Sequence, residues 1–147
     1  MIRPITKADR NTFIIFSKAF YSSTAVCHTI PQAYHLKTFE HLMESNTYAQ
    51  GYIIEYANKP VGYALTAKTF SQEAGGYVIW IEELFVLPPY RNKGLGTEFF
   101  QFVKQHLEPT VARIRLEVEP TNTAAIRLYE KMGFQALPYT QMTKELN

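Results

Sequence analysis

Leu87-Pro88-Pro89-Tyr90-Arg91-Asn92-Lys93-Gly94-Leu95-Gly96-Thr97 is the stretch on which the reading of this chain turns. Upstream of it, Tyr77 to Leu87 is a long extended run. Its last residues, Leu84, Phe85, Val86 and Leu87, are apolar on both faces, as in a central strand covered from both sides. Pro88 and Pro89 close that strand. Downstream, Leu95, Phe99, Phe102, Val103 and Leu107 share one helical stripe, which predicts a helix over Gly94 to Leu107. A buried strand therefore runs through a turn holding Arg91 and Lys93 into a helix whose first turn carries two glycines. Glycine lets a ligand approach the backbone where a Cβ would obstruct it. The unpaired amides and positive dipole end of a helix N-terminus suit a phosphate, and the two cations add to that field. Physically this is a pyrophosphate cradle; the alternative is a tight turn that uses glycine for geometry alone.

Two nucleotide motifs can be compared with it. A P-loop needs Gly-x-x-x-x-Gly-Lys-Ser/Thr, which the chain lacks. A dinucleotide fingerprint needs a third glycine where Phe99 stands. Glu117 and Glu119 lie at about the right distance for a ribose-binding acid, so a dinucleotide-binding α/β protein is the runner-up. The motif falls late in a short chain, however, and leaves no room for the remaining βαβ units.

The rest of the chain falls into alternating elements. A short strand at Ile2 to Ile5 precedes a helix start at Lys7-Ala8-Asp9, whose apolar face is Phe13, Ile14, Phe16 and Phe20. Pro31 opens a second helix through Leu36, Phe39 and Leu42. Tyr52 to Tyr56 and Val61 to Thr66 form a hairpin about a turn at Asn58-Lys59. Arg113 to Glu119 alternates as a strand. Asn122 is placed to cap a helix containing Ala125, Leu128, Tyr129 and Met132, with Gly133 at its C-terminal end. Phe134 to Ala136 and Gln141 to Leu146 are expected as closing strands.

The segment Arg91-x-x-Gly94-x-Gly96, following Glu-Glu-Leu-Phe-Val-Leu-Pro-Pro-Tyr, resembles the Gln/Arg-x-x-Gly-x-Gly/Ala signature of the GNAT acetyltransferases. Asn122-Thr-Ala-Ala-Ile-Arg-Leu-Tyr129-Glu-Lys-Met-Gly133-Phe134 is similar to that family's second conserved block. Together the two blocks cover about residues 77 to 136. The resemblance implies an α/β (α+β) fold: a mixed, mostly antiparallel twisted sheet of six to seven strands, flanked by about four helices. It implies that this sheet splays between strands four and five.

The resemblance also implies an enzyme, an N-acetyltransferase that moves an acetyl group from acetyl-CoA to an amine by direct attack in a ternary complex. The pyrophosphate would lie on the backbone of Arg91, Asn92, Lys93, Gly94, Leu95, Gly96 and Thr97. The pantetheine would run along Leu84, Phe85 and Val86, with the amide of Val86 or Phe85 on the thioester carbonyl. Asn122 would touch the pantetheine or simply cap its helix. Tyr129 would be the general acid toward the departing thiolate; spacing alone reads it as a core aromatic.

A base is also needed. Glu82 and Glu83 adjoin the apolar end of the central strand, where carboxylates are uncommon unless paired or functional. Neighbouring strand residues face opposite ways, so one of the two can face the thioester. Relatives with a similar pair favour Glu82, and ordered water or solvated carboxylates are the alternatives. A non-catalytic acyl-CoA-sensing domain is the reading from another class. The acceptor pocket would draw on Phe16, Phe20, Tyr21, His28, Tyr34, Trp80 and Tyr139.

Composition bounds these readings. A chain of 147 residues fits one domain, 1–147. Fifteen basic against thirteen acidic residues leave a net charge of +2, too balanced for nucleic acid or an anionic membrane as main partner. Cys27 is the single cysteine, and no apolar run reaches the roughly 20 residues of a membrane span. Met1 to Lys7 lack the apolar core of a signal peptide, so a cytoplasmic protein is expected. His28, His35, His41 and His106 lack metal-ligand spacing, and no metal is expected. The amine's identity is open, and a homodimer is the assembly the family often adopts.

Overall fold

A computed structural model describes residues 1–146. Its five strands lie in chain order across one sheet: β1 (Ile2–Pro4), β2 (Ala49–Tyr56), β3 (Lys59–Ser71), β4 (Gly76–Val86) and β5 (Val111–Leu116). The first four pair antiparallel; β4 and β5 run parallel. A parallel pair needs a crossover, and here it is the helix α3 (Leu95–Gln105). Helices α1 (Arg10–Tyr21) and α2 (Gln32–Glu44) connect β1 to β2, and α4 (Thr123–Lys131) follows β5.

Each face of the sheet has its own core. Ile53, Tyr63 and Phe85 pack with Phe13, Phe16 and Phe20 of α1 and Phe39 and Leu42 of α2. Ile54, Ala64 and Ile81 pack with Leu95, Phe99, Phe100 and Val103 of α3, where Leu128 and Tyr129 of α4 join them. Burying large aromatic and aliphatic side chains on both faces contributes the main favourable term to folding. Phe16 and Phe20, expected at the acceptor pocket, are core residues at 6% and 7% exposure.

Three local outcomes differ from the sequence expectation. The β2–β3 hairpin turns at Ala57-Asn58, one residue early, with both residues at positive φ (50° and 62°) as a two-residue turn matching the strand twist requires. The strand β5 begins at Val111 and ends at Leu116, short of Glu119. The sheet has five strands among the described residues, not six to seven. Phe134–Ala136 and residues 141–146 are irregular, and Met142 and Leu146 are each 89% exposed. Phe134 is instead drawn onto the rings of Phe100 and Tyr129, and Pro138 withholds a backbone donor from any ladder that would follow. No helix among the described residues is long and apolar enough to cross a membrane.

Candidate active site

The decisive irregularity lies at Glu82. On β3, Leu65 pairs with Glu83 and the next residue, Thr66, with Ile81, so Glu82 is the extra residue of a β-bulge. A bulge shifts the side-chain alternation by one. Ile81 therefore packs toward α3, while Glu83 and Phe85 turn toward α1 and α2. Pairing between β4 and β5 stops at the same place, its last register pair being Ile81 with Leu116. Beyond it β4 continues with β3 alone, through Val86 opposite Gly62, leaving its other edge open.

Alternating backbone direction decides which groups line that open edge. Leu87 N donates to Val61 O at 2.8 Å, so residues 87, 85 and 83 address β3. Leu84 and Val86 address the open side. Phe85 is thereby turned away from the thioester position proposed for it, because its carbonyl lies close over Gly62. Val86 O accepts from Arg91 Nε at 2.9 Å, which ties the cationic turn to the strand end.

The glycine turn follows. Asn92 and Gly94 both adopt positive φ, 60° and 79°, and Gly94 is the N-cap of α3. A Cβ built on Gly94 would meet nothing within 4 Å, so the space above it is open. Glu98 N to Gly94 O, at 2.9 Å, is the first helical bond. The amides of Leu95, Gly96 and Thr97 precede it and point out of the helix end unpaired. Gly96 has a second reason to be glycine, since a Cβ there would come 3.0 Å from Leu128 of α4. Lys93 Nζ stands 5.5 Å from the Tyr56 ring, and the Arg91 guanidinium 5.9 Å from that of Phe85. An open, positively charged helix end beside a free strand edge fits a diphosphate with an extended amide-bearing arm.

The two glutamates have different surroundings. Glu83 is 8% exposed, and both its oxygens are occupied: Tyr63 Oη donates to Oε1 at 2.8 Å and Tyr21 Oη to Oε2 at 3.0 Å. Burial raises its pKa, the two phenols oppose that, and Glu82 adds to it. Glu82 is exposed, and its pKa is raised by partial burial and by Glu117. Across the splay, Cys27 in the α1–α2 loop donates to Glu119, so that loop walls the side where β4 and β5 part. Tyr129 packs edge-on to Phe100 at 5.7 Å; burial raises the pKa of its hydroxyl. Asn122 Oδ1 accepts from Ala125 N at 3.2 Å, the capping role. Among the described residues no cluster of His, Cys, Asp and Glu is placed to hold a metal ion.

Residues 15–134 match the model of the acetyltransferase (GNAT) family. The chain belongs to that family. It is 31% identical over 84 residues to the spermine/spermidine N(1)-acetyltransferase of Bacillus subtilis, covering 54% of this chain and 55% of the relative. It is also 31% identical over 93 residues to the aminoglycoside N(6′)-acetyltransferase type 1 of Klebsiella pneumoniae, covering 57% and 46%. The chain thus spans about half the length of these relatives. The fold matches that of AAC(6′)-Iy, solved with a bisubstrate analog, CoA-S-monomethyl-acetylneamine, at TM-score 0.82 and 17% identity, over 99% of this chain and 97% of that one.

Both glutamates stand out in the sequence, but the bulge that separates them does not, nor does Tyr63 as the donor to Glu83. A bulge depends on pairing with β3 and leaves no local mark.

Proposed function

We propose that this chain transfers an acetyl group from acetyl-CoA to an amine that carries at least one further positive charge. The observation that carries the proposal is the open edge of β4, flanked at one end by the Gly94-capped helix and at the other by Glu82, Glu83, Glu117 and Glu119. Acetyl-CoA supplies an acetyl group activated as a thioester. The amides of Leu95, Gly96 and Thr97, with Arg91 and Lys93, hold its phosphates; Leu84 and Val86 pair with the pantetheine, and the Val86 amide takes the thioester carbonyl.

The attacking nitrogen forms the new N–C bond as the C–S bond breaks. Tyr129 gives its phenol proton to the departing sulfur. The ammonium proton passes to a carboxylate of the Glu82–Glu83 pair before attack, and the second proton shed by the acylated nitrogen restores the Tyr129 phenol. Holding the two reactants in line supplies much of the rate. Glu117 and Glu119 hold the remaining cationic part of the acceptor, as a substrate of the spermine or aminoglycoside kind would require; those are the amines named for the relatives.

The test is a calorimetric titration with acetyl-CoA followed by a thiol-release assay on spermidine, neamine, a simple monoamine and a peptide N-terminus. Micromolar binding of acetyl-CoA is expected, with kcat/KM for the polycations about tenfold or more above the monoamine, the scale of one screened charge contact. Equal rates for all four would remove the polycation assignment. Tight CoA binding with no transfer to any amine would favour a non-catalytic acyl-CoA-binding domain.

A further inference from the structure

Glu83 is bonded by two phenols, and the scheme above assigns neither of them a role. On one side Tyr21 Oη sits on Oε2. On the other Tyr63 Oη donates to Oε1, and a second buried pair lies in the same core, Ser17 Oγ 2.6 Å from His35 Nδ1. Tyr63, Ser17 and His35 are 0%, 3% and 3% exposed. The four contributing elements, α1, α2, β3 and β4, bring together residues between 17 and 83 that share no local pattern.

Both phenols donate to Glu83, Tyr63 to Oε1 and Tyr21 to Oε2. The two bonds cover both oxygens and fix the carboxyl group in one orientation.

We propose that Tyr21 and Glu83 together form the base of this enzyme, with Tyr21 as the catalytic residue that touches the amine, and that Tyr63 positions Glu83. This rests on the acetyltransferase reading above. Both oxygens of Glu83 are covered, and of the two phenols only Tyr21 is partly exposed, with Glu82 close by on the open side. The amine hydrogen moves to Tyr21 Oη as the Tyr21 hydrogen moves to Glu83 Oε2. The carboxylate becomes a carboxylic acid, the phenol is restored and the amine is left neutral. Glu82, exposed at the bulge, is left to hold charge on the acceptor.

The charged and titratable groups around Glu83 are Tyr21 on α1, His35 on α2 with Lys18 facing it, Tyr63 on β3, and Glu82 on β4 with Glu117 beyond it. The experiment is the pH profile of kcat and kcat/KM for wild type, Tyr21→Phe and Tyr63→Phe, with acetyl-CoA affinity measured for each. Tyr21→Phe should lower the plateau of kcat by about 100-fold or more, with acetyl-CoA affinity within about twofold of wild type. Tyr63→Phe removes the donor on Oε1 and should move the acidic limb of the profile to higher pH. A Tyr21→Phe plateau within about twofold of wild type would overturn the relay. An unmoved limb in a folded, CoA-binding Tyr63→Phe would overturn the positioning role. If wild type itself transfers to no amine, the functional reading fails instead, which these outcomes distinguish.

Discussion

Tyr63, fully buried on β3, places its phenol hydrogen on Oε1 of Glu83 across 2.8 Å from the neighbouring strand. The bond sets a carboxyl group against a core of Phe13, Phe20, Phe39, Leu42 and Ile53. Desolvation is the largest influence on Glu83 and raises its pKa, so the folded state holds that proton more tightly than the unfolded chain does. The stability associated with the protonated group is present below the unfolded carboxyl value of about 4.3 and is lost as pH rises through the higher folded value.

Glu83→Gln carries no charge to desolvate and keeps an acceptor for Tyr63. The melting temperature of the variant relative to wild type should therefore rise between pH 4 and pH 7. Its kcat should fall by about 100-fold or more at every pH, the scale of a lost general base. Thermal melts at the two pH values check the first part, and a temperature gap that does not change with pH would refute the buried-charge argument.

Tyr129→Phe keeps the ring that packs against Phe100 and Phe134 and removes only the hydroxyl. If the hydroxyl protonates the departing thiolate, kcat should drop by about 100-fold while acetyl-CoA affinity stays within about twofold. A variant that loses acetyl-CoA binding in calorimetry would place the hydroxyl in structure rather than in chemistry.

Much of this arrangement was legible in the chain before folding was considered. The helix from Leu95, the Asn122 cap and the extended run ending at Val86 follow from period and punctuation, because each is decided by residues within about four positions. The glycine turn was legible for the same reason. Glu82 and Glu83 were legible as unusual charges on a strand, but their division of roles was not. Regular alternation would give Glu83 and Ile81 one face, and only the bulge opposite Leu65 and Thr66 sends them to opposite cores. The bonds of Tyr21 and Tyr63 to Glu83 depend on α1, β3 and β4 meeting, contacts of high sequence separation. The expected closing strands failed for the opposite reason: local alternation in 141–146 was present without a paired neighbour to use it.

Gly94 and Gly96 should respond differently to the same added methyl. At Gly94 the space is open, and the penalty is the left-handed backbone, φ 79°, which costs an alanine about 1 kcal/mol. That methyl would stand in the cradle, so Gly94→Ala should weaken acetyl-CoA binding by about tenfold or more. At Gly96 the methyl presses on Leu128, so Gly96→Ala should shift α4 and lower the melting temperature. Calorimetry and thermal melts on both variants separate the two effects. Unchanged acetyl-CoA affinity in Gly94→Ala would remove the pyrophosphate from this turn.

Far from the site, Asp9 holds the first strand to the helix that follows it. Its carboxylate receives Arg3 Nη1 and Nη2 at 2.8 and 2.9 Å, and the Thr6 amide at 2.8 Å, while it is itself only 6% exposed. The Arg3 hydrogen bonds are the main cause of a pKa lowered from 3.8 to about 2. A lowered carboxyl pKa contributes stability that is complete above the unfolded value and disappears as pH falls through the folded one; here that amounts to about 2 kcal/mol at pH 7. Asp9→Asn should lower stability by roughly that amount at neutral pH, since Arg3 keeps Glu55 as a partner and is not left unpaired. Near pH 3, between the two values, the difference should shrink to about half. Urea unfolding of both proteins at pH 7 and pH 3 measures it directly, and a gap of the same size at both would mean that the ionised carboxylate is not what stabilises this junction.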